Sequence, residues 1–321
     1  MHSLHLRQIP PAPDLSIALV GDAGVIGMHT TTWIEAAYVH YPLRSRLHWH
    51  GCRGFATALL CFSCLLLGLT QSTLSHAVEL AAQANHPWQA TIPGFKADAY
   101  FTNIRDGDSI ETPFVVKFGL SGGWGLAPVA SPSSAKSGHH HLLINRSLPL
   151  DFKQPLPFNK QYIHFGQGQM ETTLTLDPGV YTLRLLLANQ QHLPHFVYSK
   201  PVTITVAKKG AVDSKRIAVK SISISLEKAI VSVPFRVQFH ASNMNVAHVA
   251  QQEKDTGHFV LVVLPADGGK AVEFALLEGQ TEIWLQPPNG DYSLRLEFRD
   301  NLDSTKLMAP SVTTRVKVVS S

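Results

Sequence analysis

Six histidines in the middle of the sequence are the residues best suited to chemistry. Three are consecutive in SGHHHLLIN at 137–145, one lies in YIHFGQGQ at 162–169, and two lie in NQQHLPHF at 189–196. Imidazole is the common protein ligand of borderline metals, and three or four histidines without sulfur suit Cu(II), Zn(II) or Ni(II). The sequence therefore predicts a copper or zinc site drawn from His139, His141, His164, His192 and His195.

The alternation of a β-strand separates the three consecutive histidines. Successive side chains of a strand point to opposite faces, so His139 and His141 share one face and His140 points to the other. His140 is therefore the weakest ligand candidate of the set. For any single histidine, a buried imidazole bonded to a main-chain carbonyl or to Glu171 is the alternative interpretation.

The remaining three candidates lie further along the chain. His164 precedes a predicted hairpin, whereas His192 and His195 are expected in a loop after the hairpin's return strand. Pro194 stiffens that loop, which limits the entropy lost when the two rings become ordered. A strand pair and a rigid loop pair could therefore converge on one ion.

Composition and charge limit the classes of protein to which this chain can belong. The 321-residue chain is 45% hydrophobic and 16% charged, as expected of a globular protein. Its formal net charge of +4 is too weak and dispersed to indicate binding to nucleic acid.

The first 77 residues have the features of a secretory leader. An apolar run at 54–69 follows three arginines, and LSHA ends at Ala77 with small residues where a signal peptidase cuts. The run is short for a spanning helix, which favours a cleaved signal over the alternative of a permanent anchor. We therefore expect a periplasmic or secreted protein, with a linker at 78–98.

All three cysteines, Cys52, Cys61 and Cys64, lie in or beside this leader. A mature chain that begins near Val78 therefore has no disulfide and no thiolate to offer a metal.

Beyond residue 99 the sequence predicts short strands. Segments such as TPFVVKFGLSG and PVTITVAK alternate apolar with polar residues, are rich in Val, Ile, Thr and Phe, and are separated by Gly, Pro, Asn and Asp. About seven short strands per 100 residues favour an immunoglobulin-like β-sandwich, with a barrel as the alternative.

The strand-rich region is duplicated. The stretch 166–189 aligns with 276–300, TPFVVKF aligns with VPFRVQF, and SGHHHLLI aligns with TGHFVLVV. Such internal similarity indicates a tandem repeat. We expect an all-β protein with two tandem immunoglobulin-like β-sandwich domains at 99–207 and 220–319, joined by a linker at 208–219.

The second copy distinguishes residues that the fold needs from residues that a ligand needs. The matched Gly, Tyr and Leu residues of the two copies are most simply structural. Of the six histidines, the second copy keeps only His258, opposite His139. The residues that stand at four of the other positions are Phe259, Val260, Asp303 and Lys306. The fold therefore does not require five of the six histidines.

The segments GHHHLLIN, QYIHFGQGQMETTLTLDPGVYTLRLLLAN and HLPH occur in the order in which similar segments occur in a bacterial family. The region from about 99 to 207 resembles that family, domain of unknown function 4399. The resemblance implies an exported protein with a histidine-rich strand, and it implies no established activity. Tyr162 stands where the family tends to have a further histidine, and Gln190 and Gln191 stand where it tends to have Asp and His.

Three functions compete at this stage. The first is copper or zinc binding by the histidine cluster. The second is a metal-free module that binds an envelope protein or glycan on the same face, where Trp124 is either an exposed contact or a packing residue. The third is a hydrolase or oxidoreductase, which is disfavoured because the sequence has no Gly-x-Ser-x-Gly or His-Glu-x-x-His motif and no Cys nucleophile.

The leader gives a first testable prediction. Because the apolar run ends in LSHA, the exported protein should begin at or near Val78, and intact-mass measurement of envelope-located protein would show this start. Retention of Met1 on that protein would contradict the interpretation.

Overall fold

A computed structural model describes residues 86–92, 94–130, 136–149, 151–211 and 219–320. The leader and residues 78–85 of the segment after it lie outside these ranges. The described residues form β-strands joined by turns and a short 3-10 helix at Val249–Gln251. None of the helical structure in the described ranges is long and apolar enough to cross a membrane.

The described residues of the first copy form ten strands. They are β1 (Ala99–Phe101), β2 (Ser109–Thr112), β3 (Phe114–Leu120), β4 (Gly125–Leu126), β5 (Ser137–Ile144), β6 (Tyr162–His164), β7 (Glu171–Leu174), β8 (Gly179–Ala188), β9 (Pro194–Tyr198) and β10 (Val202–Lys209). One sheet has the order β1-β3-β7, and the other has the order β2-β10-β8-β5-β4, with β6 paired to β5 and β9 paired to β8.

The second copy repeats this arrangement. Its strands are β11 (Ser221–Leu226), β12 (Ile230–Ser232), β13 (Phe235–Ser242), β14 (Asn245–Val246), β15 (Thr256–Pro265), β16 (Val272–Ala275), β17 (Glu282–Leu285), β18 (Gly290–Asp300) and β19 (Val312–Val319). The sheets have the orders β11-β13-β17 and β12-β19-β18-β15-β14, with β16 on β15. The prediction of two tandem immunoglobulin-like sandwiches is confirmed, and β9 is the strand without a counterpart.

A matched tyrosine stabilises the same turn in both copies. The Tyr181 hydroxyl donates to the Asp177 carbonyl at 2.9 Å, and the Tyr292 hydroxyl donates to the Pro288 carbonyl at 2.8 Å. A buried tyrosine that bonds to the backbone a few residues upstream is the tyrosine corner of immunoglobulin-like folds. The structural interpretation of this repeated residue therefore agrees with its contacts.

Strand β5 is buried on both faces. Leu142 and Ile144 point into the main core, whereas Leu143 packs in a second cluster with Leu156 and Leu186 on the outer face of the sheet. Leu156 belongs to the long connection 145–161, whose counterpart in the second copy is only 266–271. Leu156 of this longer connection therefore packs over Leu143 on the outer face of β5.

The two copies contact each other through equivalent residues. Leu126 N donates to the Gly279 carbonyl at 2.9 Å, and Val246 N donates to the Gly168 carbonyl at 3.0 Å. Gly168 and Gly279 are matched in the repeat, and Leu126 and Val246 occupy the same place on β4 and β14. The contact therefore has the reciprocal form of a two-fold interface between identical subunits.

Polar side chains of the two smaller sheets add to this interface. The Glu171 carboxylate accepts from the Ser242 hydroxyl at 3.0 Å and from Asn243 N at 3.0 Å, and it lies 2.9 Å from His240 Nε2. Glu171 therefore bonds to residues of the second copy, and it does not bond to any of the six histidines of the first copy. This matched glutamate joins the copies.

Part of the segment predicted as the 78–98 linker packs on the second copy. Ala90 N donates to the Trp284 carbonyl at 2.9 Å, and Gln286 N donates to the Trp88 carbonyl at 2.7 Å. The Trp88 ring also meets the Tyr292 ring edge to face, with centroids 5.7 Å apart. The described part of this segment thus extends the edge of β17.

The interface predicts unequal effects of two glycine substitutions. Gly107 and Gly168 both have positive φ, but a Cβ on Gly107 would meet no atom within 4 Å, whereas one on Gly168 would lie 2.1 Å from the Val246 carbonyl oxygen. Gly107→Ala should cost about 1–2 kcal/mol of unfolding free energy because of its backbone conformation alone. Gly168→Ala should cost about 1–3 kcal/mol more because of the clash.

Urea denaturation of the two variants beside the parent measures this difference. Equal losses of stability would show that the close approach of the two copies does not contribute to it.

Candidate functional site

The pairing of β5 with β6 brings three of the histidines together. His141 lies directly opposite His164 in this antiparallel pair, and His139 is two residues away on the same face of β5. Directly opposite residues of antiparallel strands have Cβ atoms about 4.5–5.5 Å apart. His192 joins them from the turn that follows β8.

The four imidazoles converge on one point. Their ring centroids lie 4.6 to 5.7 Å apart in all pairs. One nitrogen from each of His139, His141, His164 and His192 lies within 4.8 Å of the nitrogens of the other three. Tetrahedral ligands at a zinc–nitrogen distance of about 2.0–2.1 Å are about 3.3 Å apart, so the four side chains would have to adjust to form a four-coordinate site.

The cluster has a buried side and an accessible side. His139 and His141 are fully buried, whereas His164 and His192 are partly exposed. The ring of Phe158, which is 63% exposed, lies 4.6 Å from the His192 ring and 5.3 Å from the His164 ring. An ion would therefore reach the cluster beside Phe158.

Burial keeps these imidazoles neutral. Burial first, and the neighbouring His141 second, lower the pKa of His139 to about 2. Burial likewise lowers the pKa of His141 to about 3 and of His164 to about 4, and it lowers the pKa of His192. Neutral imidazole is the form that binds metals, so the cluster is ready to coordinate at neutral pH.

Nitrogen atoms of the cluster lack the hydrogen bonds that buried polar atoms usually make. The Nδ1 atoms of His139, His141, His164 and His192 are buried without a hydrogen-bond partner. The Nε2 atoms of His139 and His141 lie 2.9 Å apart, where only one of the two can donate. A cation at the centre of the cluster would bond to one nitrogen of each ring and would take the place of the contact between His139 Nε2 and His141 Nε2.

His140 points away from this cluster. Its ring meets the Phe118 ring at 5.5 Å inside the sandwich, and neither of its nitrogens has a partner. Burial lowers the pKa of His140 to about 3. The alternation of β5 therefore separates His140 from its neighbours as the sequence predicted.

His195 lies outside the group of four. The prediction that it lies in a loop is wrong, because it stands on β9, whose first residue pairs with Ala188 of β8. Its ring packs against Trp124 at 4.7 Å, and its Nε2 is buried without a partner. Trp124 is itself half-buried against the main core, so its contacts favour the packing interpretation.

A glycine that the sequence analysis did not single out makes room for His164. A Cβ on Gly166 would lie 2.1 Å from His164 Nε2. In the second copy, Leu277 aligns with Gly166, and Ala275 takes the place of His164 opposite Val260. The sequence difference between the copies at these two positions could have identified Gly166 as a residue linked to His164.

The same face of the second copy has a different chemistry. Arg299 there bonds to Glu273 and Glu297 at 2.7 to 3.1 Å. His258, the counterpart of His139, has its Nδ1 2.8 Å from the Asn301 side-chain oxygen. The second copy thus replaces a cluster of unused nitrogens with ion pairs and a satisfied histidine.

Comparison with known proteins identifies both copies. A family described as Domain of unknown function (DUF4399) matches residues 116–207 and 237–319, in agreement with the resemblance and the duplication. No curated protein matches the sequence.

Solved structures of fibronectin type III modules are among those similar to the chain. The fibronectin(III)-like modules of Clostridium thermocellum CbhA share 10% identity, with 69% of this chain and 94% of that chain covered and a TM-score of 0.22. A two-domain segment of chicken tenascin shares 14% identity, with 68% and 97% covered and a TM-score of 0.21. A fibronectin-III array of RIM-binding protein shares 11% identity, with 73% and 72% covered and a TM-score of 0.25. These scores support no comparison of function.

The lowered pKa values predict that acid destabilises the metal-free protein. His139, His140 and His141 stay neutral when folded but bind protons below about pH 6.5 when unfolded. Their protonation therefore has no effect on stability above about pH 6.5, and it destabilises the fold increasingly as the pH falls toward 3. Each residue should lower the unfolding free energy by about 1.4 kcal/mol per pH unit in that window.

His140→Phe, which copies Phe259 of the second copy, is the matched variant for this prediction. Urea titrations between pH 7.5 and 5 give the slope of the unfolding free energy against pH. In this variant that slope should be smaller by about 1.4 kcal/mol per pH unit, the contribution of one histidine. An unchanged slope would contradict the assignment of His140 as a neutral buried group.

Proposed function

This chain belongs to the DUF4399 family, and we propose that its first copy binds a divalent transition metal, copper first and zinc second, through His139, His141, His164 and His192. The observation that carries the proposal is the convergence of four neutral imidazoles, each of which has one nitrogen within 4.8 Å of a nitrogen of the other three. We further propose that the protein acts outside the cytoplasm, as the leader-like sequence at 46–77 suggests.

The energetic cost of the cluster favours a ligand over simple packing. Burial of a polar group without a hydrogen bond costs about 1–3 kcal/mol in proteins. The second copy has the same fold without such a cluster, so the fold does not need it. A bound cation would offset part of this cost, because coordination would give each imidazole a bond at one of its nitrogens.

The ligand types place copper before zinc. The grouped residues offer imidazole nitrogens alone, a donor set for which Cu(II) heads the affinity order of divalent metals. The 2.9 Å between His139 Nε2 and His141 Nε2 is close to the spacing of about 2.8 Å between adjacent ligands in square-planar Cu(II) with bonds of about 2.0 Å. Zn(II) would need the slightly wider tetrahedral spacing.

Four protein ligands point to binding rather than catalysis. Catalytic zinc sites keep one position open for water or substrate, whereas structural sites are closed by four protein ligands. We therefore propose that the first copy holds or carries the metal.

A metal-free module that binds an envelope protein or glycan is the second candidate. Exposed aromatic rings beside the cluster favour it, since Phe196 is 72% exposed and stacks on Phe152 with centroids 4.5 Å apart. Aromatic faces of this kind are common in recognition surfaces.

Paired histidine variants test the proposal. His139→Ala should weaken Cu(II) and Zn(II) binding by at least 10-fold, while His258→Ala, the matched change in the second copy, should leave it unchanged. His192→Ala should weaken binding similarly, because it removes a ligand. His195→Ala should leave the affinity near that of the parent, because His195 lies outside the group of four.

Titration of untagged protein with each metal, beside melting curves of the metal-free variants, provides the measurement. If His139→Ala and His192→Ala bind as the parent does and only their melting temperatures fall, the cluster is a packing feature. The metal proposal would then give way to the partner-binding candidate.

A further inference from the structure

His192 is held differently from the other three imidazoles of the site. His139, His141 and His164 stand on the paired strands β5 and β6, whereas His192 lies in the turn between β8 and β9. Its φ of 59° lies in the left-handed region. Residues other than glycine seldom adopt this conformation unless surrounding contacts enforce it.

The contacts that enforce it come from Asn189. The Asn189 side-chain oxygen accepts from Gln191 N at 2.9 Å and from Leu193 N at 3.0 Å. The Asn189 carbonyl accepts from His192 N at 2.8 Å, and Asn189 N donates to the Leu193 carbonyl at 3.0 Å. Asn189 therefore holds the chain on both sides of His192. Asparagine side chains commonly stabilise turns by bonding to main-chain N–H groups a few residues further on.

The covering connection fixes the same turn from outside. Leu156 N donates to the His192 carbonyl at 3.0 Å, and Leu156 is buried in the outer cluster. The backbone of His192 is thus held at its N–H and at its carbonyl. Only its side chain remains free to meet a ligand.

The second copy shows what the turn looks like when no ligand is needed. Asp300 aligns with Asn189, and its side-chain oxygen accepts from Leu302 N at 2.9 Å, as Asn189 does from Gln191 N. Its other oxygen binds Lys306 Nζ at 2.9 Å. This turn is two residues longer, because Asp300 N donates to the Lys306 carbonyl where Asn189 N donates to the Leu193 carbonyl, and none of residues 301–306 has a positive φ. The second acceptor bond, to Leu193 N, therefore accompanies the left-handed histidine.

We propose that Asn189 is a positioning residue of the metal site, which holds His192 in the left-handed conformation that completes the set of four ligands. This inference rests on the proposed function. The three strand imidazoles form a fixed base, because the ladder of β5 and β6 sets their spacing. His192 closes the site only while Asn189 bonds both Gln191 N and Leu193 N.

The test measures affinity for Cu(II) and for Zn(II) in the full chain. Asn189→Ala removes both acceptor bonds and should weaken binding by 10- to 100-fold, the range usual for loss of a residue that orients a ligand. Asn189→Asp keeps an oxygen acceptor in the same place, as Asp300 does in the second copy, and should bind within about threefold of the parent.

A double-mutant cycle separates positioning from a general structural effect. The variant His192→Ala keeps the three strand imidazoles and therefore a weaker, measurable affinity. In that background, Asn189→Ala should cause no further loss, since Asn189 acts only through His192. Asn189→Ser has a shorter acceptor and takes the place of the alanine variant in the same cycle if the alanine variant does not fold.

Three results would overturn the inference. The first is an unchanged affinity in Asn189→Ala, and the second is an equal loss with and without His192. The third is an aspartate variant as weak as the alanine variant. A parent protein that binds neither ion overturns the proposed function itself, and with it this inference.

Discussion

The antiparallel register of β5 with its two neighbours is the constraint on which the site depends. It places His141 opposite His164 of β6 and His139 opposite Ala188 of β8. The small side chain of Ala188 leaves space above the sheet, whereas the second copy has Arg299 there. Because side chains alternate along a strand, a shift of one residue would send His140 outward and bury both of its neighbours in the core.

Duplication explains why some residues are shared by the copies and others differ. Gly168 and Gly279 are kept because each allows the backbone of the other copy to approach closely. Because the contact is reciprocal, each copy needs a glycine at this position for the other copy to approach. The outer face of β5 and its counterpart takes no part in this contact, and there the sequences have diverged from four imidazoles to ion pairs.

Strand alternation and internal comparison were enough to predict the fold, the shared face of His139 and His141, and the different position of His140. The pattern could not show that β9 begins at Pro194, because a proline usually interrupts a strand and the pairing of Pro194 with Ala188 depends on tertiary structure. His195 was therefore assigned to a loop. The roles of Gly166 and Asn189 were also missed, since they depend on single close contacts that no sequence period encodes.

In the first copy, burial of the outer face of β5 affects how readily its histidines could bind a metal. The long connection 145–161 covers part of the outer face of β5, and burial lowers the pKa of His139 and His141. A lowered pKa means that protons compete less with a metal for the nitrogens, since a ligand must be neutral to bind. The second copy has only the short link 266–271 at this place, and its outer face is occupied by charged residues such as Arg299. Because residues 256–263 of β15 are buried as fully as β5, the longer connection of the first copy does not make this face drier. It covers the face with apolar residues such as Leu156, where the second copy has ion pairs.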